Sequence, residues 1–206
     1  MKILLLIMNC QKYRHKALRQ KDDWLKKLPP FINYYHVIGD KNKTQEQNYL
    51  IDQENKILYV NTLDDYNSLP HKVITSFEII KDSDYQYIFK TDDDQRLKNK
   101  VFFNKLIKIL EANTYYYGGN IVRVNEHKSD YYHVHPELPH NVILEAAEYC
   151  NGRFYILHRE AIENLLEKKE KIAQRYIEDH AIGYHLDEQF KKPILKIHND
   201  KYFKDY

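Results

Sequence analysis

The stretch Tyr85-Gln86-Tyr87-Ile88-Phe89-Lys90-Thr91-Asp92-Asp93-Asp94 decides how this chain is interpreted. Its first six residues are rich in aromatic and β-branched types and predict a strand over residues 85–90. Three consecutive carboxylates follow, and like charges this close repel one another and raise each other's pKa. In open α/β sheets, ligands lie at the carboxyl ends of strands, which is where residues 92–94 are expected. The run therefore predicts either a divalent-cation site or a solvated acidic turn.

A bound cation would make the acidic run favourable. Mg²⁺ and Mn²⁺ prefer hard oxygen ligands and commonly share one or two carboxylates with substrate phosphates. A calcium-binding EF-hand loop is excluded because Leu97 occupies the position that requires glycine in that motif. The expected ion is therefore Mn²⁺ or Mg²⁺, held together with a phosphate-bearing substrate.

Length and charge limit the classes of protein that this chain can belong to. Its 206 residues suit one α/β domain, which we place at residues 1–206, and a net charge of +2 implies no nucleic-acid partner. The two cysteines, Cys10 and Cys150, form no CxxC motif and favour a reducing compartment, so we expect a cytoplasmic protein. The apolar residues 3–8 are too few to span a bilayer and predict a buried first strand. No transmembrane segment is expected.

Strand and helix patterns alternate along the chain. Strands are expected at residues 3–8, 31–38, 57–60, 85–90, 115–124, 153–157 and 194–197, with the strand at 115–124 broken by Gly118-Gly119. Helices are expected at residues 14–28, 68–81, 101–111, 159–174 and 178–190. Residues 41–55 are expected to be a loop or an irregular helix, and residues 125–148 a long loop over a site. The alternation predicts an α/β fold with a mainly parallel sheet.

Glycine usage argues against two common nucleotide-binding folds. None of the 5 glycines belongs to a GxGxxG or Walker sequence, so dinucleotide dehydrogenases and P-loop enzymes lose their main support. Gly118, Gly119 and Gly152 lie close to other notable residues. Glycine at these positions permits close approach of the backbone to a ligand, and ordinary bulges or turns are the alternative.

A second acidic pair, Glu178-Asp179, opens the last predicted helix. Acidic residues at a helix start often only cap it and interact with its dipole. Together with residues 92–94, the pair suggests a sugar transfer with inversion. That reaction needs a base for the acceptor hydroxyl and a metal to neutralise the departing diphosphate.

Five segments resemble, in the expected order, the beta-1,3-galactosyltransferase and fringe-like glycosyltransferases, which have the GT-A fold. That fold implies a Rossmann-like mixed sheet, mainly parallel and flanked by helices. They are residues 14–24, the stretch Asp64-Asp65-Tyr66-Asn67-Ser68-Leu69-Pro70-His71-Lys72, residues 87–94, residues 149–157 and the stretch Glu178-Asp179-His180-Ala181-Ile182-Gly183. The resemblance implies a UDP-sugar donor, a Mn²⁺ or Mg²⁺ ion, a glycan, glycoprotein or glycolipid acceptor and an inverting mechanism. By analogy Asp92 and Asp94 face the metal, and Asp179 is the catalytic base.

The resemblance also suggests which residues contact the donor. Lys72 and Lys90 would offset the negative charge of the diphosphate, although exposed lysines are the norm. The expected donor-binding set is Lys72, Lys90, Asp92, Asp93, Gly118, Gly119 and Gly152. His198 follows the last strand and either completes the metal shell or is a surface histidine.

Some features depart from the family pattern. The chain lacks the family's membrane anchor and paired luminal cysteines, and His71 and Asn151 alter two motifs. Such a compact version would suit a giant virus, acting in its host's cytoplasm, or a microbe. Two other functions stay open: a degenerate nucleotide-sugar binding module, and a metal-dependent phosphohydrolase or nuclease that uses the same carboxylates.

Overall fold

The computed structural model describes all 206 residues, Met1 to Tyr206. Its strands are β1 Ile3–Met8, β2 Ile32–Gly39, β3 Tyr49–Asp52, β4 Ile57–Val60, β5 Tyr87–Asp92, β6 Gln95–Leu97, β7 Tyr117–Val124, β8 His127–Lys128, β9 Ile143–Leu144, β10 Ala147–His158, β11 Leu195–Lys196 and β12 Phe203–Asp205. Its helices are α1 Arg14–Asp23, α2 Leu69–Ile80, α3 Phe102–Ala112, α4 Arg159–Leu166, α5 Lys169–Ala173, α6 Glu178–His185 and α7 Asn199–Tyr202. None of them is long and apolar enough to cross a membrane.

One eight-stranded sheet organises the chain, in the order β11-β7-β10-β5-β1-β2-β4-β3. The central strands β5, β1, β2 and β4 are mutually parallel, whereas β10 and β3 run antiparallel to their neighbours. The expected mixed, mainly parallel α/β sheet is confirmed. The arrangement brings the carboxyl ends of β5, β1, β2 and β4 to one edge.

Two apolar layers cover the sheet. One layer packs β-strand residues against α2, α4, α5 and α6, with Phe77, Leu165 and Ile182 fully or almost fully buried. The other packs them against α3 and the end of α1, with Trp24 and Phe103 at its centre. Burying a side chain of this size contributes about 1.5–3 kcal/mol, so both layers hold the helices firmly on the sheet.

Several element boundaries differ from those expected. Residues 41–55 contain the edge strand β3 in addition to a loop, and β10 begins six residues before the expected residue 153. The expected helix at residues 159–174 is divided into α4 and α5, and α6 ends at His185. Strand β7 runs through Gly118 and Gly119 without a break.

Candidate functional site

Strand β5 continues two residues further than expected, so that Lys90 and Asp92 both belong to it. Their side chains point to the same side of the strand because side chains alternate with a period of two. The Lys90 ammonium lies 2.7 Å from Asp92 Oδ1. The Asp93 amide donates to the Met8 carbonyl of neighbouring β1, at 3.1 Å. Asp92, the first residue of the acidic run, is therefore the last residue of β5, and Asp93 and Asp94 follow the strand.

Lys90 is the central cation of this site. Its side chain is 1% exposed, and its Nζ also lies 3.0 Å from Glu178 Oε2 and donates to the Gly152 carbonyl at 2.9 Å. Burial alone would lower the pKa of Lys90, but the carboxylates of Asp92 and Glu178 together raise it above its usual range. All three ammonium protons have protein partners, so Lys90 acts as an internal counter-ion for the carboxylates.

Asp179 lies in the first turn of α6 and is held by two backbone amides. Its Oδ2 accepts from the Gly152 amide at 2.8 Å, and its Oδ1 accepts from the His180 amide at 2.8 Å. Burial raises the pKa of Asp179, while Lys90 and these two hydrogen bonds oppose that rise. The peptide groups of Gly152 thus connect Lys90, through the carbonyl, with Asp179, through the amide.

Glu178 has a different environment from its neighbour. It is 4% exposed, pairs with Lys90 and accepts a hydrogen bond from the Tyr155 hydroxyl. Burial raises the pKa of Glu178, and the Lys90 charge opposes that effect. The two acidic residues are therefore not equivalent: Glu178 is locked into a buried ion pair, whereas the Asp179 carboxylate is held by the Gly152 amide of β10.

The three consecutive aspartates also diverge. Asp93 is buried, accepts from the Asn9 side-chain amide at 2.6 Å and lies 3.4 Å from the Lys16 ammonium. Burial raises the pKa of both Asp92 and Asp93 to about 6. Asp94 is partly exposed and accepts from the Gln95 side-chain amide at 2.7 Å. Asp92 and Asp94 are left with carboxylate oxygens for a further ligand, whereas Asp93 is engaged with β1 and α1.

The donor chemistry of this edge fits a hard divalent cation. Asp92 and Asp94 offer carboxylate oxygens, and the Asp92 side chain stays 33% exposed while it pairs with Lys90. No three His, Cys, Asp or Glu side chains converge in a closed ligand set. Such a site suits Mg²⁺ or Mn²⁺, which keep positions for phosphate oxygens and water.

His198 forms no hydrogen bond or ion pair with the acidic run. It is exposed at the start of α7, and its backbone carbonyl accepts from the Lys201 amide at 3.0 Å. The chain end lies closer to the run, because the Tyr206 amide donates to the Asp94 carbonyl at 3.1 Å. A role for His198 as a metal ligand stays a prediction.

Lys72 holds together the carboxyl ends of three strands. It is 3% exposed, and its ammonium donates to the Asn9 carbonyl at 3.0 Å and to Asp64 Oδ1 at 2.6 Å. Asp64 also accepts from the Gly39 amide at 2.9 Å and from the Gln11 amide at 2.7 Å. Lys72 and Lys90 are therefore buried rather than exposed surface lysines, and the donor contact expected of Lys72 stays a prediction.

The expected donor-binding glycines lie in two different environments. An added Cβ at Gly118 would lie 2.8 Å from Leu195 Cβ, and one at Gly119 would lie 2.6 Å from Cys150 Cβ. Both glycines permit neighbouring strands to pack closely within the sheet. A Cβ at Gly152 would lie 3.4 Å from both Asp179 Oδ2 and Lys90 Nζ, so only Gly152 lies among the site's charged groups.

A glycine in α6 fixes the helix that carries Asp179. A Cβ at Gly183 would lie 2.2 Å from Tyr149 Cβ and 2.7 Å from its Cα. Helix α6 therefore crosses β10 at a distance that no larger residue allows. This contact sets the height of Asp179 above the sheet.

Residues 125–146, here named the excursion, are folded rather than a structureless loop. They contain β8, a 3₁₀ turn at Tyr131–His133 and β9, and Leu138 and Leu144 pack against Ile177. The His135 ring stacks on Tyr66 with centroids 3.7 Å apart. Burial is the main cause that raises the pKa of the Tyr66 phenol, and the charges of Asp179 and Asp92 add to it. The excursion therefore lies next to the start of α6, which carries Asp179.

Sequence reasoning missed several members of this site. Asp64 stood inside a quoted motif without a role, and Asn9, Gln95 and Tyr155 were not singled out. Only their positions in the sequence could have indicated a role: Asn9 directly follows β1, and Gln95 directly follows the acidic run. Parallel strands bring such positions to one edge.

Comparison with known proteins identifies the family. The sequence profile of the family described as Galactosyltransferase matches residues 13–194. The chain belongs to this galactosyltransferase family. No individual curated protein sequence matches it significantly.

Solved structures of glycosyltransferases share the fold of this galactosyltransferase-family chain. One is the glycosyltransferase GlyE of Streptococcus pneumoniae TIGR4, with 10% identity and a TM-score of 0.51. The apo form of GlyE gives 9% identity and a TM-score of 0.49. Each match covers 98% of this chain and 46% of the GlyE chain, so the chain spans about half of that protein's length. Family membership and fold together support glycosyl transfer.

Proposed function

We propose that this protein is a metal-dependent glycosyltransferase that moves a hexose from a UDP-sugar to an acceptor hydroxyl with inversion. One observation carries the proposal: Asp179 is fixed by the Gly152 amide within the same hydrogen-bonded cluster that holds Asp92. A carboxylate for proton removal and carboxylates for a diphosphate-bound ion are thus placed side by side. The acceptor is a glycan, glycoprotein or glycolipid.

The reaction assigns one role to each carboxylate. Asp179 accepts the proton of the acceptor hydroxyl as that oxygen bonds to the anomeric carbon of the sugar. The bond from the anomeric carbon to the diphosphate oxygen breaks, and its electron pair leaves with UDP. Direct displacement at one face of the sugar inverts the anomeric configuration.

Asp92 and Asp94 are the residues that would hold Mn²⁺ or Mg²⁺ together with the diphosphate. When bound, such an ion neutralises the charge that develops on the leaving diphosphate. Lys90 neutralises the charges of Asp92 and Glu178. The Asp179 carboxylate is therefore not needed as the counter-ion of Lys90. Asn9, Asp64 and Lys72 form the rigid edge against which the nucleotide would lie.

A donor screen tests the proposal. Purified protein is incubated with a panel of UDP-hexoses and simple glycosides, with Mn²⁺, Mg²⁺ or chelator, and released UDP is measured. We expect release with at least one UDP-sugar, and only with a divalent ion. Asp94→Asn should lose this metal-dependent release, while Asp82→Asn, an exposed aspartate near the opposite end of β5, should keep it.

The same screen separates the other functions. UDP binding by calorimetry without turnover of any sugar nucleotide would indicate a binding module. Hydrolysis of phosphate esters in place of transfer would indicate a phosphohydrolase. Proton NMR of the product then tests inversion, because a retained anomeric configuration would contradict direct displacement with Asp179 as the base.

A further inference from the structure

Three aromatic rings from two segments stack beside the candidate base. The ring centroids of Tyr66 and His135 are 3.7 Å apart with an interplanar angle of 13°, and those of Tyr131 and His135 are 5.9 Å apart at 16°. Tyr66 follows β4, whereas His135 and Tyr131 belong to the excursion. The Asn67 side-chain amide also donates to the Glu137 carbonyl at 2.9 Å. The stack is therefore anchored at its inner end.

Tyr131 is the outer ring of this stack. It is 44% exposed, and its other face carries no stacked ring. Burial raises the pKa of its phenol, and the next largest causes are the charges of Asp179 and then Asp92. Burial, followed by Asp179 and Tyr131, likewise raises the pKa of Tyr149 to about 12. Tyr131 thus offers an open ring face at the outer end of a stack whose inner ring, Tyr66, packs against the cluster that contains Ile177, two residues before Asp179.

We propose that Tyr131 is the platform on which the sugar ring of the acceptor stacks, with its reacting hydroxyl directed to Asp179; this inference rests on the proposed function. A tyrosine combines a flat apolar face with a hydroxyl at its edge. A pyranose has the matching chemistry, because its C–H face is apolar and its edge carries hydroxyl groups. The inner rings Tyr66 and His135 hold Tyr131 in a fixed orientation, which lowers the cost of ordering the platform on binding.

The direction of approach decides whether Tyr131 would stack on the acceptor sugar or on the uracil of the donor. In a direct displacement, the attacking hydroxyl and the leaving diphosphate lie on opposite sides of the anomeric carbon. The diphosphate belongs with Asp92 and Asp94, so the acceptor must approach from Asp179. The excursion packs on Ile177, which directly precedes the Glu178-Asp179 pair, and its Glu145 carbonyl accepts from the His180 ring of α6 at 2.9 Å. Because the excursion is anchored to the helix that carries Asp179, Tyr131 belongs on the acceptor side.

Binding measurements test the platform. Saturation-transfer NMR with UDP and Mg²⁺ present is recorded for the methyl glycosides of glucose, galactose and N-acetylglucosamine, and dissociation constants are measured for wild type, Tyr131→Ala and Tyr131→Phe. Loss of an aromatic contact should weaken glycoside binding roughly two- to tenfold in Tyr131→Ala. Tyr131→Phe should stay close to wild type because it keeps the ring. Val134→Ala is the matched control, since Val134 is 68% exposed in the same segment and outside the stack.

The outcomes separate this inference from the proposed function. Equal glycoside affinity in Tyr131→Ala and wild type would overturn the platform, as would a loss of UDP affinity, which would indicate stacking of the uracil. A wild-type protein that turns over a UDP-sugar but shows no saturation transfer to any glycoside would also overturn it. A wild-type protein that neither binds UDP nor releases it from any UDP-sugar would instead remove the proposed function itself.

Discussion

Lys90 and Glu178 form a buried ion pair, with Nζ 3.0 Å from Oε2, that joins the central strand β5 to helix α6. Their side chains are 1% and 3% exposed. The same ammonium contacts Asp92, so one cation links the strand that carries the acidic run to the helix that carries Asp179. The position of Asp92, a candidate metal ligand, relative to Asp179, the candidate base, therefore depends on this ion pair.

Replacing Lys90 by methionine should strongly destabilise the fold. The variant leaves Glu178 buried without a counter-charge, and breaking a buried pair in this way typically costs about 3–5 kcal/mol. Denaturant unfolding measures the change. Lys169→Met is the matched control, because Lys169 pairs with Glu78 at an exposed site, where ion pairs contribute little to stability. Similar losses in the two variants would contradict the importance of the buried pair.

Asp179→Asn should abolish most transfer without loss of the fold. Removing a positioned base typically lowers the rate about 10²–10⁴-fold, while UDP-sugar affinity should stay unchanged. Initial rates and calorimetry check the two parts, with exposed Asp22→Asn as the control. Because burial raises the pKa of Asp179, the wild-type rate should decline on the acid side at a pH above the ordinary aspartate range. Full activity in Asp179→Asn would mean that another group removes the proton.

Two glycine-to-alanine substitutions should separate packing from chemistry. Gly119→Ala would place a methyl group 2.6 Å from Cys150 Cβ, and overpacking of this kind costs about 1–3 kcal/mol or more. Gly152→Ala meets its nearest atoms only at 3.4 Å, so the protein should fold, but the methyl group would crowd Asp179. We expect transfer to fall roughly tenfold or more in Gly152→Ala, because small misplacements of reacting groups are costly. Melting temperatures and initial rates showing the opposite pattern would assign the chemistry to Gly119.

His36 should make stability depend on pH. It is fully buried, its Nε2 lies 3.0 Å from Gln20 Oε1, and burial, aided by the Lys21 charge, lowers its pKa from 6.5 to about 3. Between these values the unfolded chain binds a proton and the folded one does not, so stability is lost as the pH falls. This histidine should contribute a slope of about 1.4 kcal/mol per pH unit between pH 6.5 and 4. Urea unfolding of wild type and His36→Gln should differ by that slope, and parallel curves would rule the effect out.

Much of the fold could be predicted from local patterns. The aromatic and apolar runs of β1 and β5 and the periodic face of α3 are strong local signals, and all three elements are present. Strand β3 was not predicted because its stability comes from pairing with β4 at the sheet edge, with Leu50 opposite Tyr59. Short strands such as β6 and β12 likewise exist only because they pair with each other.

Site residues were predictable where chemistry and position coincide. The acidic run stands out because three consecutive carboxylates directly after a strand repel one another, whereas Asp179 gains significance only together with that run. Lys90 was expected as a cation that offsets the negative charge of the site, but its buried pairing with Glu178, 88 residues away in sequence, comes only from the fold. Gly118 and Gly119 were expected to bind the donor, but the contacts of these two glycines are with neighbouring strands of the sheet.

The tight crossing of α6 over β10 at Gly183 has a consequence for engineering. Any side chain there would lift the helix and move Asp179 with it, so this crossing is a fixed point when acceptor preference is redesigned. The excursion differs, because it joins β7 to β10 at the rim of the sheet and carries its own small apolar cluster. Exchanging segments within residues 125–146 would therefore change which acceptors reach Asp179 while leaving Asp179 itself in place.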